Sequence, residues 1–265
     1  MERKTALITG ACVNTGYAIA QKFIAENWNV VITGRDQAKV DEAVANLLRE
    51  KKDGFVLGYA ISPTDKNGNV DEQAVKTMFE CLDNKNVSVD ALVLNAAHLG
   101  VGIKIFESPL SDFVNVLNVN TVWNYCLVEH CAQRMREKCD GSIIFINSNT
   151  AYRAIPDRIA YSASKGAQLG MMRALALDLG KYNIRVNAVL PGMIWTTRWD
   201  NDYEFYSHIP SAYTPLRDVA RGSDIADGVW YFASSARNTT GAELTIDGGN
   251  TIQLYPLIPD NKIKE

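Results

Sequence analysis

The sequence predicts a doubly wound α/β fold, one parallel sheet flanked by helices on both faces, and three observations carry that prediction. Short apolar runs bounded by turn residues alternate along the chain with longer segments of helical period. Most of the runs are continuously apolar rather than alternating, as parallel strands covered on both faces are. No repeat, low-complexity tract or Pro/Gly linker interrupts the 265 residues, so 1–265 reads as a single domain.

The first run, 5–9 (TALIT), leads through a glycine-bearing turn into helix 16–26. Run 29–33 (NVVIT) precedes helix 37–51, and run 54–61 (GFVLGYAI) precedes a polar loop and helix 71–83. That loop, 63–70 (PTDKNGNV), reads as a solvated surface turn. Run 91–94 (ALVL) is followed by the longest helical segment, 111–138. Runs 142–146 (SIIFI) and 185–190 (RVNAVL) bracket helix 160–182, and helix 222–234 leads to a last run, 243–246 (ELTI). Strand then helix, repeated, is the pattern of a parallel sheet. Segment 195–213 breaks the alternation: it has little period, yet it holds Trp195, Trp199, Tyr203, Phe205, Tyr206 and Tyr213. Long irregular segments are usually functional or disordered, and aromatic enrichment argues against disorder, so a lid over a binding site is expected there.

With 27 Lys+Arg against 30 Asp+Glu, 47% hydrophobic and 22% charged residues, the chain is neither a strongly basic nucleic-acid binder nor an acidic disordered one. No stretch approaches the roughly 18 consecutive apolar residues of a membrane span. Neither nucleic acid nor membrane is expected as a partner. The first residues enter a strand pattern at once and leave no room for a signal peptide. Cys12, Cys81, Cys126, Cys131 and Cys139 form no C-x-x-C pair. They argue against a disulfide framework and for a reducing, cytoplasmic compartment. No two of the three histidines have metal-ligand spacing, so no metal is expected.

Residues 5–20 (TALITGACVNTGYAIA) read as a strand, a turn holding Gly10 and Gly16, and a helix. A glycine turn at a helix N-terminus presents free N–H groups and the positive end of the helix dipole to a phosphate. A plain strand-to-helix turn is the other reading. The spacing is T-G-x-x-x-N-T-G. Asn14, before Thr15 and Gly16, stands where glycine is commoner, and Asn is among the few other residues that visit the left-handed region. The second run ends at Gly34-Arg35-Asp36, about where a dinucleotide fold reads the adenosine ribose. Gly34 leaves space, Arg35 offers a charge-assisted fork to a 2′-phosphate, and Asp36 is expected to turn outward. This favours NADP(H), with NAD(H) the alternative. The plain reading of Arg35 is a solvated surface charge.

Tyr161 and Lys165 lie four apart in a helical segment and share a face. A tyrosine with its ordinary pKa near 10 is a poor proton relay at neutral pH, and a nearby ammonium favours the phenolate. Ser148 follows run 142–146, thirteen residues before Tyr161, and Asn95 ends run 91–94. Asn120 lies in a mostly apolar helix, where a buried amide needs partners or a job. Pro191-Gly192 follows run 185–190. Ligands of open parallel sheets bind beyond the carboxyl ends of the strands, and these polar features fall at or beside that edge.

On these residues the chain resembles the short-chain dehydrogenase/reductase family over nearly its whole length. Thr9, Gly10 and Gly16 fit that family's glycine turn, and Asn95-Ala96-Ala97 fits its Asn-Asn-Ala-Gly strand end in part. Asn120, Ser148, Tyr161 and Lys165 fit its catalytic tetrad. Pro191-Gly192, with Ile194 and Thr196, fits the segment holding the nicotinamide carboxamide, and 244–249 (LTIDGG) fits the final strand and turn. The resemblance implies a Rossmann-like dinucleotide-binding and catalytic domain that moves a hydride between a nicotinamide and a carbonyl carbon. It implies that Tyr161 exchanges the proton, that Ser148 holds the same oxygen, and that Lys165 lowers the tyrosine pKa and holds the ribose. It implies also that Asn120 anchors a water linking Lys165 to solvent. The cofactor side then comprises Gly10, Asn14, Thr15, Gly16, Arg35, Ile61, Asn95, Pro191, Ile194 and Thr196, with Tyr161 and Lys165. The departures are Asn14, Leu94, Ala97 and a third strand ending Tyr59-Ala60-Ile61-Ser62 without the usual Asp.

The expected substrate is a small secondary alcohol or ketone, such as a polyol, sugar or steroid alcohol. It meets Ser148 and Tyr161, with His98, Trp195 and Trp199 as further candidates. Asp200, Asp202 and Glu204 argue against a polyanion unless they face solvent. An enoyl reductase of the related type would have a longer gap between tyrosine and lysine. The reading from another class is a catalytically silent dinucleotide-binding regulator of the same fold. The family implies a homotetramer or homodimer, and tail 251–265 either crosses to a neighbouring subunit or docks on its own.

Overall fold

The structure is a computed structural model that describes residues 3–50 and 53–257. Seven strands form one parallel sheet: β1 Thr5–Ile8, β2 Asn29–Gly34, β3 Val56–Ala60, β4 Ala91–Leu94, β5 Gly141–Ile146, β6 Ile184–Pro191 and β7 Glu243–Ile246. Each lies within a few residues of its expected run. The helices are α1 Asn14–Ala25, α2 Gln37–Glu50, α3 Glu72–Asn84, α4 Leu110–Leu117, α5 Trp123–Lys138, α6 Ile159–Gly180, α7 Thr197–Asp200, α8 Tyr203–Tyr206, α9 Ile209–Tyr213 and α10 Gly222–Trp230. Lys51, the expected end of the second helix, lies outside the described residues. Among those residues no helix is long and apolar enough to cross a membrane.

Because strand side chains alternate faces, the sheet divides its apolar residues between two cores. Leu7, Val31, Leu92 and Ile143 meet Phe79 of α3, Leu127 of α5 and Met172 of α6. Ala6, Ile8, Ile32 and Val93 meet Phe23 of α1, Leu47 of α2 and Val229 of α10. Continuous apolar runs are what this two-sided covering requires. The strand order is β3-β2-β1-β4-β5-β6-β7, so β1 pairs with both β2 and β4 and the connections run off in opposite directions. The crevice at the carboxyl ends of β1 and β4 is the switch point where such sheets take ligands.

Three expected elements differ, one of them segment 222–234, where α10 gives way to a π turn at Tyr231–Ser235. Segment 111–138 is not one helix, because a π turn at Asn118–Val122 separates α4 from α5. The Asn120 carbonyl accepts from Asn124 Nδ2 at 2.8 Å and from Gln168 Nε2 at 2.6 Å, and side chains inserted into a helical ladder widen it. Segment 195–213 is not irregular: it forms α7, α8 and α9, each too short to leave a period in the sequence.

Candidate active site

The turn after β1 is built around the carbonyls of Thr9 and Gly10. Asn95 Nδ2, from the end of β4, donates to both, at 2.9 and 3.1 Å, and Thr9 Oγ1 accepts from the N–H groups of Asn95 and Ala96. The loop is thereby fastened across the switch point. A Cβ on Gly16 would lie 2.4 Å from the Gly10 oxygen and 2.6 Å from Asn95 Nδ2, so only glycine fits there. Asn14 adopts φ 51°, the left-handed conformation anticipated for it. Helix α1 begins after Val13 with no side-chain cap, so its first amides remain available to an anion. Asn95 therefore holds the turn.

At the end of β2, Arg35 is exposed, and no partner among the described residues engages it. Asp36 is exposed, as expected, and its Oδ1 accepts from Lys39 N at 3.0 Å, which caps α2. The space at Gly34 is also not free, because an added Cβ would lie 2.4 Å from Cys12 Sγ and 2.9 Å from Val40. Gly34 makes room for the cysteine of the preceding turn. Ile61 is 5% exposed with its side chain in the core, and its N–H donates to Gly34 O at 2.8 Å. Only its backbone remains for a ligand.

Tyr161 and Lys165 share one face of α6, with the Lys165 Nζ 5.5 Å from the tyrosine ring centroid. Lys165 is 2% exposed and, among the described residues, has no carboxylate partner. Its Nζ donates to Ile146 O at 2.8 Å and to Gln168 Oε1 at 3.2 Å, and burial pushes its pKa down to about 7. Burial pushes the Tyr161 phenol up, while a hydrogen bond with Ser148 and the charge of Arg158 pull it back. Ser148 is buried just beyond β5, its Oγ accepting from Thr150 N at 3.2 Å.

Asn120 corrects an implication of the resemblance. Its Oδ1 accepts from His98 N at 2.7 Å, and its Nδ2 donates to His98 O and Ser164 Oγ, both at 2.9 Å. Both lone pairs of its carbonyl are taken by Asn124 and Gln168, which leaves that oxygen no site for a water. Its connection to Lys165 runs through the Gln168 side chain. Gln168 Oε1 accepts from Asn147 Nδ2 at 3.0 Å as well as from the ammonium, so the three buried amides form one satisfied network. Gln168 and Asn147 were missed in the sequence; two amides in apolar surroundings were the available signal. His98 is spent on this network too, its Nδ1 accepting from Gly100 N at 3.0 Å, and it does not line the cavity.

That cavity, about 740 Å³, opens beyond β5 and β6 and brings together Ser148, Tyr161, Ile194, Thr196, Trp199 and Asn14. Trp199 is buried and stacks on Tyr206, with centroids 4.8 Å apart. Trp195 is a correction: its Nε1 donates to Asp200 Oδ1 at 2.6 Å, its ring lies beneath Arg221, and it stays off the cavity wall. The Phe205 side chain is outside those described. Asp200, Asp202 and Glu204 are exposed and none lines the cavity, which removes the objection to an anionic ligand. The tail supplies an unforeseen wall of Gln253, Leu254, Tyr255 and Pro256. Arg153 Nη1 grips the carbonyls of Asn250, Thr251 and Gln253, and Leu257 N donates to Ala212 O at 2.8 Å. To Leu257 the tail docks on its own subunit; 258–265 lies outside the described residues.

The family model described as enoyl-(acyl carrier protein) reductase matches residues 10–251. An uncharacterized oxidoreductase of Thermotoga maritima is 33% identical over 267 residues, covering 96% of this chain and 98% of the relative. The NADP-dependent (R)-specific alcohol dehydrogenase of Lentilactobacillus kefiri is also 33% identical, over 259 residues, with the same coverage. The structure of ElxO with NADP bound has a TM-score of 0.84 at 27% identity, covering 95% of this chain and 100% of that one. Matched from its glycine turn to its final 3₁₀ turn, by the family model and by relatives at 33% identity, the chain belongs to the short-chain dehydrogenase/reductase family of oxidoreductases.

Proposed function

We propose that the protein interconverts a secondary alcohol and a ketone with a nicotinamide dinucleotide, NADP(H) in preference to NAD(H). The observation that carries this reading is the meeting of Tyr161 and Ser148 on one cavity wall, with Lys165 buried over the tyrosine ring. The uncapped N-terminus of α1 and the close-packed Gly10–Gly16 turn suit a pyrophosphate, and Ile194 and Thr196 line the adjoining end of the cavity. When bound, the nicotinamide supplies or takes the hydride. The chain handles the proton. Tyr161 Oη gives it to the carbonyl oxygen in reduction and takes it from the alcohol in oxidation, while Ser148 donates a hydrogen bond to that oxygen as charge develops. The Ser148 hydrogen bond and the charge of Arg158 favour the ionised phenol against its burial, and Lys165, when charged, adds positive charge over the ring.

The test is loss of NADPH absorbance, with NADH in parallel, across ketones, keto-sugars, keto-acids and ketosteroids, using Tyr161→Phe as the blank. Turnover of one class by the wild type alone supports the reading. Dinucleotide binding without any turnover supports the silent regulator instead. The NADP(H) preference rests on Arg35, and Arg35→Ala is expected to weaken NADPH binding by about tenfold or more while leaving the NADH Kd within about twofold. Equal losses for both would show that Arg35 does not read the 2′-phosphate.

Gln168 is a positioning residue for the same chemistry. Gln168→Leu removes one of two acceptors from the Lys165 ammonium, so the lysine charges less readily and supports the phenolate less. In alcohol oxidation the ascending limb of the kcat–pH profile is expected to move to higher pH. An unchanged profile with a lowered melting temperature would reduce Gln168 to a packing role.

A further inference from the structure

The chain has a formal charge of −3, yet the cavity is lined by Arg153, Arg158 and Arg198 and, among the described residues, by no Asp or Glu. The carboxylate nearest in sequence, Asp157, is exposed and off the cavity wall, and others are committed elsewhere. Asp200 holds Trp195, Asp218 holds Val219 N and pairs with Arg221, and Asp247 accepts from the N–H groups of Gly249 and Thr251. Among the described residues the arginines keep neutral partners. Arg153 grips backbone carbonyls, Arg198 donates to Tyr206 Oη, and Arg158 gives one donor to Leu99 O at 3.2 Å.

Arg158 is the most telling of the three. It is the N-cap of the 22-residue helix α6, where an acceptor side chain and negative charge are favoured, and it makes no capping bond. A half-buried cation there costs helix stability, and it stands three residues before Tyr161 on the same cavity wall. Thr150, on that wall too, is 9% exposed, and its Oγ1 has no partner among the described residues. A buried hydroxyl left unpaired is costly unless a ligand completes it. The rest of the lining mixes apolar Leu99, Ile155, Met193, Trp199 and Leu254 with polar Asn149, Thr196, Thr197 and Gln253.

We propose that the cavity takes a hydroxy or keto compound carrying a carboxylate on a short hydrocarbon body, with Arg158 as the charge partner and Thr150 as a neutral donor beside it. The proposal rests on the oxidoreductase reading of this cavity. It adds a requirement that reading does not contain, namely that one end of the substrate is an anion. The carboxylate stands before the N-terminus of α6 and supplies the negative charge that Arg158 cannot. An arginine fork is suited to a planar carboxylate.

The experiment titrates the full-length protein, saturated with NADP+, with 4-oxopentanoate and separately with its neutral methyl ester, following tryptophan fluorescence. NADPH-dependent reduction of both is measured in parallel. The wild type is expected to bind the carboxylate about tenfold more tightly than the ester. In Arg158→Gln that preference falls to about twofold or less, and Arg158→Lys restores part of it. Equal or tighter binding of the ester, a preference unchanged in Arg158→Gln, or no carboxylate-dependent signal at about 50 mM overturns the proposal. Efficient reduction of the ester alone overturns the anion requirement and leaves the oxidoreductase reading standing. A carboxylate preference that vanishes in Arg158→Gln, with no turnover of any ketone, upholds the anion site while that reading falls.

Discussion

Tyr161→Phe lowers turnover by about 10³-fold and leaves dinucleotide affinity within about twofold. The substitution keeps the ring that Lys165 overlies and deletes only the hydroxyl, so α6 and the cavity wall keep their shape. On the proposed reading, what is lost is the group that exchanges a proton with the bound oxygen. Ser148 cannot replace it, because an unactivated serine hydroxyl is a far weaker acid than a phenol held near two cations. Steady-state rates in both directions, with a separate binding titration for the dinucleotide, check the result. Turnover reduced by less than about tenfold would take the role away from Tyr161.

Lys165→Met is expected to abolish most turnover and, at the same time, to stabilise the ligand-free protein. The lysine is an uncompensated buried cation, with a pKa pushed from its ordinary 10.5 to about 7 by desolvation. The unfolded chain binds more protons than the folded one between those values. The penalty is therefore full below about pH 7 and shrinks as pH rises towards 10.5. Methionine removes it and fills much of the same volume, at the cost of two hydrogen bonds to Ile146 O and Gln168 Oε1. The net gain is about 2 kcal/mol, or ~5 °C in Tm at pH 7. Between pH 7 and 9 the wild type should gain on the variant. Cys126 and Cys131, whose pKa values burial raises, are common to both proteins and cancel in the difference. A destabilised Lys165→Met would mean that the two acceptors outweigh the buried charge.

The strands were legible because burial on both faces leaves continuous apolar runs, and the pairing of Tyr161 with Lys165 was legible because helix geometry fixes what lies four residues on. The π turn was not. Its cause is two amide donors reaching the Asn120 carbonyl, one of them from Gln168, 48 residues away. Gly34 misled for a similar reason, since the space beside it is filled by a thiol from another turn. The short helices after β6 fall below the length at which period can be read. The glycine turn and the gathering of Asn120, Ser148, Tyr161 and Lys165 near the sheet edge were accessible; the charge of the cavity was not. It depends on where Asp200, Asp202 and Glu204 point, and only packing decides that.

The grip of Arg153 on three backbone carbonyls has a consequence for how the cavity responds to solution conditions. A cation held by peptide dipoles forms no ion pair, so dissolved salt has little to screen at that contact. The far wall made by the tail keeps its position across ionic strengths that progressively weaken the pull of Arg158 on an anion. Salt therefore tunes what the cavity attracts without moving the surface that shapes it.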